Sequence, residues 1–177
     1  IYDRLVFLTD DDAEVGADST FSNVVLSIEP LEPDPAPQSD PAPDSDPISA
    51  PAPETNPEPT DALDFASLRI GDYRPGDQDF GDHAVSADGT TLTLDSQAWQ
   101  AVLTDVEVTA DTTLSFDFLA NTEGEVHGVM FTNGDHIPKH TAFQVFGTDD
   151  WGIQEYTYIG SGDVQRIDIP VGQYFTG

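Results

Sequence analysis

The sequence predicts an all-β fold, a two-sheet antiparallel β-sandwich of jelly-roll type interrupted by a disordered Pro/Asp-rich spacer. Three observations lead there. Leu114, Phe116 and Phe118 alternate with Ser115 and Asp117, the signature of a half-buried strand. Turn signals built on Gly, Asn and Asp recur at a spacing of roughly 8–12 residues, as in sandwiches and barrels. No window of a dozen residues carries the 3.6-residue period of an amphipathic helix.

The strands follow in order. Leu5 and Phe7 alternate against Arg4 and Val6, and Val24, Val25, Leu26 and Ile28 form a second apolar run. The Asp88–Gly89 pair is a hairpin turn signal, and Thr91–Leu94 is its outgoing arm. Val102–Leu103 and Val106–Val108 come next, then Leu114–Phe118, Val126–Phe131, Phe143–Phe146 and Arg166–Ile169. Each is bounded by turn formers.

Three segments differ in composition. Residues 1–30 read as terminal strands of a β-sandwich module. Residues 31–60 hold ten prolines between Pro33 and Pro59, spaced by Ala, Ser, Asp and Glu, with no Lys or Arg. So many missing N–H donors prevent strand pairing and helix propagation, so an extended spacer is expected, reaching about 90 Å at full stretch. Residues 61–177 return to globular composition and read as the main part of a sandwich. The first 30 residues are too few to fold alone, since a lone hairpin is marginal in water. They look complementary to 61–177, and the spacer is long enough for them to dock in cis or in trans. Tandem copies of one module in the parent chain are the expectation that follows.

Composition excludes several functions. The 177 residues include no Cys, which removes disulfide scaffolds, Cys-based zinc and iron–sulfur sites, and thiol catalysis. The net charge of −29 opposes nucleic acid and anionic membranes. No apolar run approaches the roughly 20 residues of a spanning helix. Catalytic motifs are equally absent. His136 and His140 are four apart, but Pro138 between them excludes a zincin helix. Gly160–Asp163 reads as a turn and not as a nucleophile elbow. With 34 acids present, a carboxylate pair for glycoside hydrolysis carries no specificity. The fragment is read as a non-enzyme.

Two sets of stretches carry a resemblance. One is Glu123–Phe131 with Thr141–Gly147 and Trp151–Ile153; the other is Phe7–Ala13 leading to Ser19–Leu26. Together they resemble a jelly-roll carbohydrate-binding module appended, often in tandem, to secreted bacterial polysaccharide-degrading enzymes. The resemblance implies a secreted, extracellular, non-catalytic module that binds polysaccharide, frequently with bound calcium, beside an appended catalytic domain.

Candidate site residues fall in three groups. The acidic turn containing Asp10, Asp12 and Asp18 could supply hard oxygens to Ca2+, relieving repulsion among adjacent carboxylates. Its spacing is not that of an EF-hand, because Val15 and Phe21 stand where Gly and Glu are required. Alternation puts Glu125 and His127 on one face of a strand, opposite Val126 and Met130, with Gln144 and Phe146 on a neighbouring strand. Acids and imidazole would bond sugar hydroxyls there, or else form the solvent side of the strand. Trp151, in a Gly-flanked loop, and Tyr156 offer flat apolar rings with a polar edge, whereas Trp99 reads as core. Neutral glycans such as xylan, mannan or glucan suit so acidic a chain better than polyanions. The rival reading is a calcium-stiffened structural repeat of a secreted adhesin or spacer array, with no glycan site.

Overall fold

A computed structural model describes residues 1–10, 16–28, 62–76, 79–160 and 162–177. The expected spacer at 31–60, and Asp12, lie outside the described residues. Ten strands are named in chain order: β1 (Tyr2–Asp10), β2 (Asp18–Ser27), β3 (Arg69–Asp72), β4 (Asp82–Val85), β5 (Thr91–Asp95), β6 (Ala98–Val106), β7 (Thr113–Leu119), β8 (Val126–Thr132), β9 (Ala142–Phe146) and β10 (Gln165–Ile169). They form two antiparallel five-stranded sheets, ordered β3-β6-β1-β8-β9 and β10-β7-β2-β5-β4. The sheets face each other as a sandwich. Of the strands expected from sequence, Val106–Val108 does not form as a separate one: β6 takes in Val102–Leu103 and ends at Val106, because the chain turns away from the sheet at Glu107. The others are present; β3 and β4, each four residues long, are additional.

The strand order has a simple logic. Taken from β5 through β10 and then on through β1 and β2, eight strands occupy the places of a jelly roll. Its seventh and eighth strands therefore come first in this chain. β1 lies between β6 and β8, and β2 lies between β5 and β7, so the first two strands of the chain supply the middle strand of each sheet. The chain's two joints are closed by backbone contacts. Gly177 and Val108 exchange hydrogen bonds at 2.9 and 3.0 Å, two positions from the Tyr2–Val106 pair. At the other joint Ala62 bridges Val25, and Leu63 N–H donates to the Val24 carbonyl at 2.7 Å.

The core lies between the sheets. Phe7 of β1 meets Phe21 of β2 edge-on, ring centres 5.0 Å apart, and the pair extends to Phe65, Phe116 and Phe118. All five rings are buried. The Asp88–Gly89 turn forms as expected between β4 and β5. Gly89 takes φ +74°, and the Asp88 carboxylate accepts from Ser86 Oγ, Thr90 N and Thr90 Oγ1.

The middle of one sheet is buried on both faces. In β1, Leu5 and Phe7 point into the core while Val6 and Leu8 join a second apolar cluster with Tyr73, Trp99, Ala101 and Met130. That cluster sits on the outer face of the β3-β6-β1-β8-β9 sheet. Tyr73, just after β3, belongs to it, and Ile137, after β8, packs against it. Tyr73 Oη donates to the His136 carbonyl, and Thr132 Oγ1 donates to the same oxygen at 2.7 Å.

A chain running from Ala62 to Gly177, then through a short Gly/Ser connection into Ile1–Ile28, is expected to keep a single cooperative transition. Its midpoint should stay within about 5 °C of the parent. Residues 62–177 alone lack the middle strand of each sheet and should show no cooperative transition. Scanning calorimetry on both chains reads the difference.

Candidate functional site

The residues singled out on β8 and β9 divide between the two sides of one sheet. His127 lies opposite Val126 and Met130, as alternation predicts, but its face of β8 meets the core and not solvent. Its side of β8 belongs with Val129 and Phe131 in the core, and Val126 and Met130 belong to the outer cluster. His127 is fully buried, with its ring against Phe146 and Phe118 at 5.3 and 6.4 Å. The Gly124 N–H donates to Nε2 at 2.7 Å, which requires a lone pair there. Nδ1 then carries the proton and donates to Ser19 Oγ at 2.7 Å, and Thr9 Oγ1 donates to Ser19 Oγ at 2.6 Å. Thr9, Ser19 and His127 thus tie β1 and β8 of one sheet to β2 of the other. This is a structural ladder in the core, and the physical reason is that a buried imidazole needs both nitrogens satisfied.

Phe146 packs on His127 and, at 5.2 Å, on Tyr158. Glu125 is half-buried ahead of β8, and its carbonyl accepts from Asp149 N at 2.9 Å. Tyr156 stands apart from these, its ring on Phe143 and its hydroxyl accepting from Tyr174 Oη at 3.1 Å.

Gln144 and Trp151 do come together, on the outer side. Gln144 Oε1 accepts from Trp151 N at 2.9 Å, and its Nε2 donates to the Asp149 carbonyl at 2.7 Å. Gln154 Nε2 adds a bond to the same Oε1 at 3.2 Å. One buried amide therefore clamps the loop that presents Trp151. The indole stands edge-on to Trp99, centres 5.8 Å apart at 74°, and Trp99 lies parallel to Tyr73 at 6.4 Å. Trp99 and Tyr73 are buried, Trp151 half-buried. Trp99 is buried as expected, in the outer cluster.

A carboxylate supports this row from the edge. Asp79, 8% exposed, accepts from Trp99 N at 3.3 Å and from Gln100 Nε2 at 2.6 Å. Burial is the main reason its carboxyl is pushed up from 3.8 to about 6. Gln100 is fully buried, and its Oε1 has no partner among the described residues.

The acidic turn is described only at its ends. Asp18 accepts from Asn121 N at 3.1 Å, Asn121 Nδ2 at 2.8 Å and Thr122 N at 2.7 Å. Its oxygens are turned to the 121–122 backbone and so do not fit a calcium ligand as they stand. Asp10, at the end of β1, accepts through its carbonyl from Glu125 N at 2.8 Å. Among the described residues, no three His, Cys, Asp or Glu side chains converge as a metal site.

Comparison with protein-family models, with curated proteins and with solved structures finds no match.

Two stability measurements follow. His127→Ala removes a buried ring and strands the Gly124 N–H, so urea denaturation should show a loss of about 3 kcal/mol. For Asp79, a raised carboxyl pKa means that the folded state holds the proton more tightly than the unfolded one. Its contribution is fullest below about pH 4 and is lost as pH rises to about 6. Asp79→Asn lacks that loss because its amide does not titrate, and the Gln100 amide can turn over to accept from it. The variant should therefore gain on the parent by roughly 2 kcal/mol between pH 4 and 7, read from paired urea titrations.

Proposed function

We propose that the protein is a non-catalytic carbohydrate-binding module of a secreted polysaccharide-degrading enzyme. The observation that carries this reading is the aromatic row on the outer sheet face, ending in a half-exposed Trp151 that is held rigid. Trp99 sets the angle of the ring, and Gln144 and Gln154 clamp its loop. A flat apolar ring with a polar edge, fixed before binding, stacks on sugar C–H faces at little entropic cost. Sugar hydroxyls find acceptors close by in the exposed Asp149 and Asp150 carboxylates. The jelly-roll order of the strands fits the resemblance carried by Glu123–Phe131, Thr141–Gly147 and Trp151–Ile153.

The preferred ligands in this reading have neutral backbones such as xylan, mannan or glucan. A chain at −29 repels a polyanion overall. The module holds its appended catalytic domain near the polymer and raises its effective concentration there, and tandem copies would add avidity. Calcium belongs to the same proposal as a stabiliser of the acidic turn. Asp10 and Asp12 would hold it, while Asp18 is bonded to Asn121 and Thr122.

Affinity electrophoresis through xylan, mannan, β-glucan and alginate, with calcium and with chelator, tests the reading. Retardation by a neutral polymer, weakened by chelator, is the expected result. Trp151→Ala should cut that affinity roughly thirtyfold, or about 2 kcal/mol, beyond any lowering of the unfolding midpoint, with the variant still folded at the temperature of the assay. Free migration of a folded chain through all four polymers would turn the assignment to the structural-repeat reading.

A further inference from the structure

The outer face carries a second feature at the opposite end of the sheet from Gln144. Arg69 of β3, Leu103 of β6 and Arg4 of β1 pair across three strands in one register row, with Gly71, Ala101 and Val6 in the next. The small residues leave an open cleft of about 180 Å³, lined by Arg4, Arg69, Gly71, Asp72, Ala101 and Leu103. Two of the chain's five basic residues stand here, in a molecule with 34 acids.

The two arginines differ. Arg4 is bound to Asp3 through Nε at 2.7 Å and Nη2 at 3.2 Å, and reaches Asp135 at 3.4 Å. Its charge is compensated and its geometry set, and two N–H groups remain to donate. Arg69 is exposed and has no hydrogen-bond or ion-pair partner among the described residues. It is the uncompensated cation at the cleft.

Gly71 gives the cleft its floor. Glycine weakens a strand, and where it persists it often marks close approach of a ligand or another chain. Here neither packing nor conformation requires it. Its φ is ordinary, and a Cβ at this position would meet nothing within 4 Å. The space above it is empty cleft.

We propose that this cleft takes one acidic sugar unit, a uronate substituent on an otherwise neutral glycan. Arg69 pairs with the carboxylate and Arg4 adds donors. Asp72, an acceptor only, takes a ring hydroxyl, and Ala101 and Leu103 lie under the C–H face. A carboxylate acceptor beside the cations disfavours a bare small anion and favours a ligand that carries hydroxyls as well. The net charge does not forbid this. At physiological salt, interactions fade beyond about 8 Å, so the nearest cation governs a single carboxylate while a polyanion meets the acids all around. The inference rests on the glycan-binding reading and names the chemistry of one subsite within it.

The test is a titration of the full chain, followed through the Gly71 amide and Arg69 Nε–H resonances, with glucuronic acid, glucose and sodium acetate as separate probes. Glucuronate should shift both signals with at least tenfold higher affinity than glucose or acetate. Arg69→Gln should weaken it about tenfold. Gly71→Leu should fill the cleft and abolish the response, with the unfolding midpoint little changed. Equal binding of acetate would overturn sugar recognition, equal binding of glucose would overturn the role of the charge, and no response would overturn the site. Retardation by a neutral polymer together with a silent Gly71 would remove this subsite and leave the general glycan reading standing. Failure of both removes the two together.

Discussion

The contact between Phe7 and Phe21 is the constraint on which the rest of the sandwich depends. These rings sit on the first two strands of the chain, yet they occupy the centre of the core and face each other across the two sheets. Without β1 the strands β6 and β8 have no common partner, and without β2 neither have β5 and β7. A buried phenylalanine contributes about 3–5 kcal/mol against its truncation, a large part of the net stability of a small domain. These two strands are therefore the keystone, although some thirty residues of sequence separate them from the rest of the sandwich. Such a connection adds little closure entropy per added residue, so its length is tolerated.

Burying β1 on both faces has a functional consequence. A sandwich sheet normally shows one face to the core and the other to water. Here Val6, Leu8, Ala101 and Met130 make the outer face apolar too, and Tyr73 and Ile137 pack on it. The cover is incomplete at both ends. At one end Trp151 emerges from the apolar cluster with its ring half-exposed, and at the other the small residues Gly71 and Ala101 leave the arginine-lined cleft. Both features lie on the same sheet face, so a glycan chain laid across it would meet an aromatic surface and a cation in turn. The core side of the same sheet is closed by the His127 ladder, whose hydrogen bonds hold the sheets in register.

The sequence by itself determined the class of fold, the positions of most strands and the Asp88–Gly89 turn, because these follow from short-range rules. Side-chain alternation and turn chemistry act over two to six residues, and they read correctly at Leu114–Phe118 and at Ser86–Thr91. The short strands β3 and β4 escaped because four residues such as Arg69–Asp72, with a glycine among them, carry too little periodicity to register. Which side of a strand meets the core was not determined. Val126–Thr132 is buried throughout, so alternation had no polar face to report, and His127 turned inward where its ring nitrogens find Gly124 and Ser19. Likewise Arg4 and Arg69 are 65 positions apart in the chain, and only the pairing of both strands with β6 sets them around one cleft. Tertiary structure decided the site because long-range strand pairing, and not local pattern, chooses which side chains share a face.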